Sequence, residues 1–263
     1  MSLLKPIISV ASAVWLLAAN SALESPRLGY LRLADGDVRS LRGMAGAFYL
    51  GERTAASVLQ HAFNGSAGVR TLEGSAEFLG PNGEVMRIAR IDGEVRAIGL
   101  SAIEDTAYVL TETELWRLSG QRADRYAAPD LQPGERIAGI SGAGDYIDLA
   151  IVVEEQVTLR RYWVETGDSI IRHSFGGNAA QVLFLPHAMI LWTESATVHL
   201  RRADGSEVSV DCGAEIASVA SMSPQMVHVA TVDGRQYALR ISGDPVVPQT
   251  VEARLLPLPE SAE

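Results

Sequence analysis

The sequence predicts one all-β domain, a β-propeller of about six four-stranded antiparallel blades, and three observations carry that prediction. Five stretches of the 263-residue chain share one strand grammar. Their starts lie roughly 35 to 45 residues apart, close to the period of propeller blades. Asp-Gly and Asn-Gly pairs stand where strands must reverse, and their glycines supply the positive φ that tight hairpins need. Seven blades or a stacked β-sandwich are the alternatives for the same pattern.

In chain order, the first copy comprises residues 7–10, 14–17 and 29–36, so the first blade is expected to start near residue 6. The second comprises 95–98, 107–111 and 114–120, and the third 137–140, 149–153 and 157–162. The fourth comprises 182–185, 189–193 and 198–205, and the fifth 216–219, 227–231 and 236–243. Each copy is a short apolar run, a turn, a second apolar run, a turn, and a strand alternating apolar with polar or arginine. Continuous apolar runs suit inner strands covered on both faces, and alternation suits half-exposed ones. A fourth, more polar strand follows in several copies, at 37–41 and 207–210.

A gap of about twice the blade period separates the first two copies. It is expected to hold a degenerate second blade over about 43–93, with candidate strands at 47–50, 57–60, 69–72, 76–79 and 85–89. The segment 249–258 is expected to close the ring by completing the first blade. The Pro- and Gly-containing stretch 127–134 reads as an inter-blade loop, which keeps residues 1–263 in one domain.

Composition narrows the function. Apolar residues make up 47% and charged residues 21%, ordinary globular usage, and the net charge of −10 opposes phosphate backbones and anionic bilayers. No nucleic-acid partner is expected. The pairs Arg160-Arg161 and Arg201-Arg202 end apolar runs and read as solvated strand faces. Cys212 is the sole cysteine, so neither an intrachain disulfide nor a thiolate metal site is expected. His61, His173, His187, His199 and His228 lack metal-ligand spacing, and no metal or cofactor is predicted. The apolar run 7–19 is too short to span a bilayer, so no membrane insertion is expected. It reads as a propeller strand pair in a cytoplasmic protein. The alternative is an export signal over residues 1–22 and a periplasmic location.

No catalytic constellation emerges. Gly139-Ile140-Ser141-Gly142-Ala143-Gly144 misses the nucleophile-elbow pattern and has no helix after it, so it reads as a glycine-rich turn between strands. Glu154-Glu155, Asp145 with Asp148, and Glu112 with Glu114 read as solvated turn ends. The pairs Asp35-Gly36, Asp92-Gly93, Asp204-Gly205 and Asp233-Gly234 read as hairpin turns rather than calcium loops. Trp15, Trp116, Trp163 and Trp192 occupy different places in the repeat, which suits packing rather than a ligand-stacking ring.

Residues 226–239 combine an apolar strand, an Asp-Gly turn and a strand carrying Tyr237, and with the other copies the chain resembles degenerate bacterial β-propellers of the WD40 and RCC1-like repeat group. The resemblance implies an accessory subunit of a larger assembly, AAA+ ATPase complexes among them. The expected function is a non-enzymatic protein–protein interaction or scaffold module. Its expected docking surface is Met44, Phe48, Tyr49 and Leu50, in the irregular stretch 43–68. The alternative is a propeller enzyme or sugar binder whose carboxylates gather around the central channel.

Overall fold

A computed structural model describes residues 27–44, 47–177, 179–242 and 252–258. The described residues form 23 strands and no helix, arranged in six antiparallel sheets. Blade one is β1 (Arg27–Arg32), β2 (Val38–Met44) and β3 (Ala47–Ala55). Blade two is β4 (Gln60–Phe63), β5 (Gly68–Leu72), β6 (Ser75–Leu79) and β7 (Val85–Arg90). Blade three is β8 (Val95–Leu100), β9 (Thr106–Thr111), β10 (Glu114–Ser119) and β11 (Ala123–Ala127). Blade four is β12 (Arg136–Ala143), β13 (Tyr146–Val153), β14 (Gln156–Trp163) and β15 (Ser169–Gly176). Blade five is β16 (Val182–Leu185), β17 (Met189–Glu194), β18 (Thr197–Arg201) and β19 (Glu207–Asp211). Blade six is β20 (Ile216–Ser223), β21 (Met226–Thr231), β22 (Gln236–Ser242) and β23 (Glu252–Pro257).

Strand alternation explains the ring. Ala107 and Val109 of β9 face blade two, whereas Tyr108 and Leu110 face blade four, so this strand is apolar throughout because both of its faces are covered. The same arrangement recurs around the molecule, and a hydrophobic cluster fills each successive junction. Blade six meets blade one through Leu31, Leu41, Met222 and Ala238, and the innermost strand β20 packs against both β1 and β4. The sheets therefore close as a β-propeller. The Asp-Gly turns behave as expected: Gly36, Gly93, Gly205 and Gly234 have φ of 86°, 90°, 85° and 87°.

Two boundaries differ from the sequence reading, and a third is not described. The expected first-blade strands at 7–10 and 14–17, and the alternative export signal, lie outside the described residues. The stretch 43–93 is not one blade: β3 pairs with β2 in blade one, and β4 to β7 form a complete blade two. Adjacency decides this, because β3 begins within three residues of the end of β2 and folds back on it as a hairpin. The C-terminal strand β23 does not complete blade one. It pairs with β22, from Tyr237↔Pro257 to Ser242↔Glu252, as the outermost strand of blade six. Ala253 and Leu255 pack toward blade five while Leu256 packs toward blade one, so both faces of this strand are used where it lies.

Candidate functional site

The innermost strands surround an axial cavity of about 690 Å³. Three arginines line it: Arg32 from β1, Arg96 from β8 and Arg136 from β12. Arg32 Nε donates to the Val58 carbonyl at 2.5 Å, and Arg136 donates to the carbonyls of Ala179 and Ala180 at 2.6 and 2.9 Å. Arg96 bridges Glu112 at 2.8 Å. Among the described residues Glu135 is the one carboxylate in the lining, and Arg160 already holds it. Burial pushes its carboxyl upward, but hydrogen bonds from Arg160 and the Gln132 amide outweigh burial and keep it below the usual range.

Two histidines complete the cavity. His61 on β4 and His228 on β21 are 6% and 4% exposed, and the Nε2 atom of each is buried without a hydrogen-bond partner. Burial lowers the His61 pKa to about 3, with Arg70 and His228 adding to the effect, and burial lowers that of His228 to about 4. Both imidazoles are neutral at pH 7. Ala62, Ile98, Val182, Leu183 and Ser221 line both this cavity and a second one of about 140 Å³ further along the axis. Among the described residues the lining holds one carboxylate, Glu135, beside three arginines and two imidazoles, whereas the sugar-binder alternative expects several carboxylates.

A second concavity of about 480 Å³ lies between blades four and five. Leu159, Phe184 and Met189 give it an apolar lining, and Arg161, Arg172, Arg201 and Arg202 face it with Asp148 as the sole carboxylate. Arg161 grips Asp148 through two hydrogen bonds of 2.8 Å, with its guanidinium 3.7 Å from the Tyr146 ring centre. Arg201 lies 3.6 Å from Glu207. Leu159 pairs with His173 and Arg160 with Ile171, which leaves Arg172 as the extra residue of a β-bulge in β15. Bulges re-aim side chains, and here Arg172 and His173 both line the groove. Arg172 makes no hydrogen bond or ion pair with the described residues. The paired arginines read from sequence as solvated faces are thus divided: Arg160 serves Glu135, while Arg161, Arg201 and Arg202 face the groove.

Beside this groove runs an exposed strand edge. The outermost strand β15 is eight residues long and exposes Ile170 and Ile171 by 46% and 64%. The corresponding strands of blades three and five, β11 and β19, are five residues long and carry acidic side chains. Charge and brevity are the usual protections of an edge; β15 is longer than β11 and β19 and carries one full charge, the bulged Arg172.

The docking residues expected from sequence fall on the β2–β3 hairpin. Met44 pairs with Ala47 across its turn. Phe48 and Leu50 are half-buried against the core between blades one and six, and Tyr49, on the opposite face, is 45% exposed. Alternation therefore separates these residues rather than presenting one surface. The Gly139–Gly144 stretch is mostly strand β12, with only its last residue in the turn to β13. Trp192 is core and stacks on His199 with centroids 5.0 Å apart, while Trp116 donates Nε1 to Glu114 at 3.0 Å.

No protein-family model matches the sequence, and a search of curated proteins finds no match. Solved structures do resemble it in fold. A chain of a nidogen/laminin complex superposes with a TM-score of 0.57 at 11% identity, covering 88% of this chain and 96% of that one. The Cps50 (Swd1) β-propeller domain of Myceliophthora thermophila gives 0.51 at 12% identity, covering 88% and 86%. PorZ, a surface component of the type-IX secretion system of Porphyromonas gingivalis, gives 0.48 at 10% identity, and the match spans 91% of this chain but 39% of PorZ. The first two likenesses, with the six closed sheets, show a degenerate β-propeller.

Proposed function

We propose that this protein is a non-enzymatic interaction module, an accessory subunit of a larger bacterial assembly, which holds an acidic extended segment of a partner protein along the groove between blades four and five. One observation carries the reading: four arginines face a single aspartate in an open, partly apolar groove of a chain whose net charge is −10. Carboxylates of a partner match guanidinium forks bidentately, and repulsion from the acidic remainder of the surface favours this site over others. The adjoining edge of β15 offers its outward backbone groups to one more strand, whose alternate side chains would enter the groove. The exposed Ile170 supplies apolar contact at the rim.

The test is affinity purification of the tagged protein from its native host, alongside the double variant Arg172→Glu, Arg202→Glu. A stoichiometric partner bearing an acid-rich segment is expected on the wild type and lost from the variant at unchanged melting temperature. Equal recovery from both would remove the groove from the function.

A further inference from the structure

We infer that the axial cavity binds a small organic anion bearing phosphate or carboxylate groups, held by Arg32, Arg136 and the imidazoles of His61 and His228. This site is separate from the blade-four groove and stands whether or not that groove holds a partner. Its size comes first: this axial cup of about 690 Å³ lies within the range of small-molecule sites.

Charge comes second. Arg32 and Arg136 donate to backbone carbonyls, which orient the guanidinium groups without neutralising them. The one lining carboxylate, Glu135, is committed to Arg160. The cup therefore carries uncompensated positive charge inside an acidic protein, in a partly enclosed place where such charge acts strongly.

The third observation is the least expected of a merely structural cavity. Two imidazoles, each more than nine-tenths buried, belong to residues that line the cavity, with Nε2 buried behind its surface and without a partner. An unsatisfied buried polar atom costs about 1–3 kcal/mol, and a ligand that paired two in one cavity would recover part of that cost. A ring rotation that brought Nε2–H to the cavity surface would let a ligand oxygen accept from it and satisfy each. Because both rings are neutral, they add donors without adding charge, and the guanidinium groups supply the charge. Donors converging from β1, β4, β12 and β21 suit a ligand with several acceptor oxygens, the common property of phosphates and polycarboxylates.

The experiment titrates pyrophosphate and citrate, at fixed ionic strength and pH 7, into the full-length protein by calorimetry and by imidazole nitrogen NMR. At least one probe is expected to bind saturably with a Kd below about 1 mM. Which of the two binds identifies phosphate or carboxylate as the preferred group. Arg32→Gln and Arg136→Gln are each expected to weaken binding about tenfold or more, whereas Arg90→Gln, an equal charge change on an exposed strand end, leaves it unchanged. The Nε2 resonances of His61 and His228 should move on binding while those of His187 and His199 stay still. Should the arginine variants not fold, the wild-type resonances alone decide the matter. Absence of saturable binding by either probe, binding that leaves both buried imidazoles unmoved, or an equal loss in Arg90→Gln would overturn the inference.

Discussion

The two arginine-lined concavities are built from the same side chain but from opposite parts of a blade. In the axial cup, inner strands fix Arg32 and Arg136 on backbone carbonyls, next to histidines with less than a tenth of their surface exposed. In the groove, Arg172 projects from a bulge in an outermost strand. Inner strands are held by neighbouring blades on both sides, so what they line is shaped and enclosed. Outer strands have one free edge, so what they line is open and extendable. On the two proposals above, the same charge serves a small ligand in one place and a polypeptide in the other.

The largest predicted effect breaks the enclosed half of this contrast. A Cβ added at Gly139 would collide with the Val182 carbonyl oxygen, and one at Gly99 with that of Ile140. Backbone atoms of an adjacent blade cannot step aside as a flexible side chain can. Gly139→Ala should destabilise the protein by about 3 kcal/mol or more in urea unfolding. A loss below about 1 kcal/mol would mean that the blades have slack and that the cup is not rigid.

Acid tests the same region through its histidines. Folded pKa values of about 3 and about 4 lie below the ordinary 6.5, so His61 and His228 stay neutral in the fold while the unfolded chain takes up protons. Their contribution is complete above pH 6.5 and is lost as pH falls toward those folded values, with a slope of up to about 1.4 kcal/mol per pH unit for each ring. Stability should fall between pH 6 and 4.5, and His61→Leu should flatten that slope. A flat profile in the wild type would show that the rings are protonated in the fold and hence solvated.

The open half of the contrast should respond in binding, not in folding. Arg172→Glu is expected to weaken the partner complex by about tenfold, more at low salt than at high, with the melting temperature unchanged. A salt-independent loss would point to packing instead of charge.

How much of this was legible in sequence depends on how local each decision is. The inner strands of blades three to six and the Asp-Gly turns follow from patterns contained within a dozen residues. The sheet that a short apolar run joins is a non-local choice. Residues 47–50 and 252–257 look like strands from either side, and only the neighbouring blade decides their partner. The axial donors come from four strands scattered between β1 and β21, with no spacing to mark them. Arg172 gave no signal either, because its bulge contains no glycine or proline.

The β2–β3 hairpin gives the smallest expected effects. Tyr49→Ala should stay within about 0.5 kcal/mol of the wild type, and Phe48→Ala, half-buried between blades one and six, should cost about 2 kcal/mol. Equal effects at the two positions would contradict their separation onto opposite faces.

The most direct measurement places a photo-cross-linking residue at Ile170, on the groove rim, and separately at Val232, equally reachable at 65% exposure on blade six. In the native host, a discrete cross-linked partner is predicted from position 170 and none from position 232, and adding Arg172→Glu should abolish the product. The same products from both positions, or a product from 170 indifferent to Arg172, would show that the groove between blades four and five is not where this protein holds its partner.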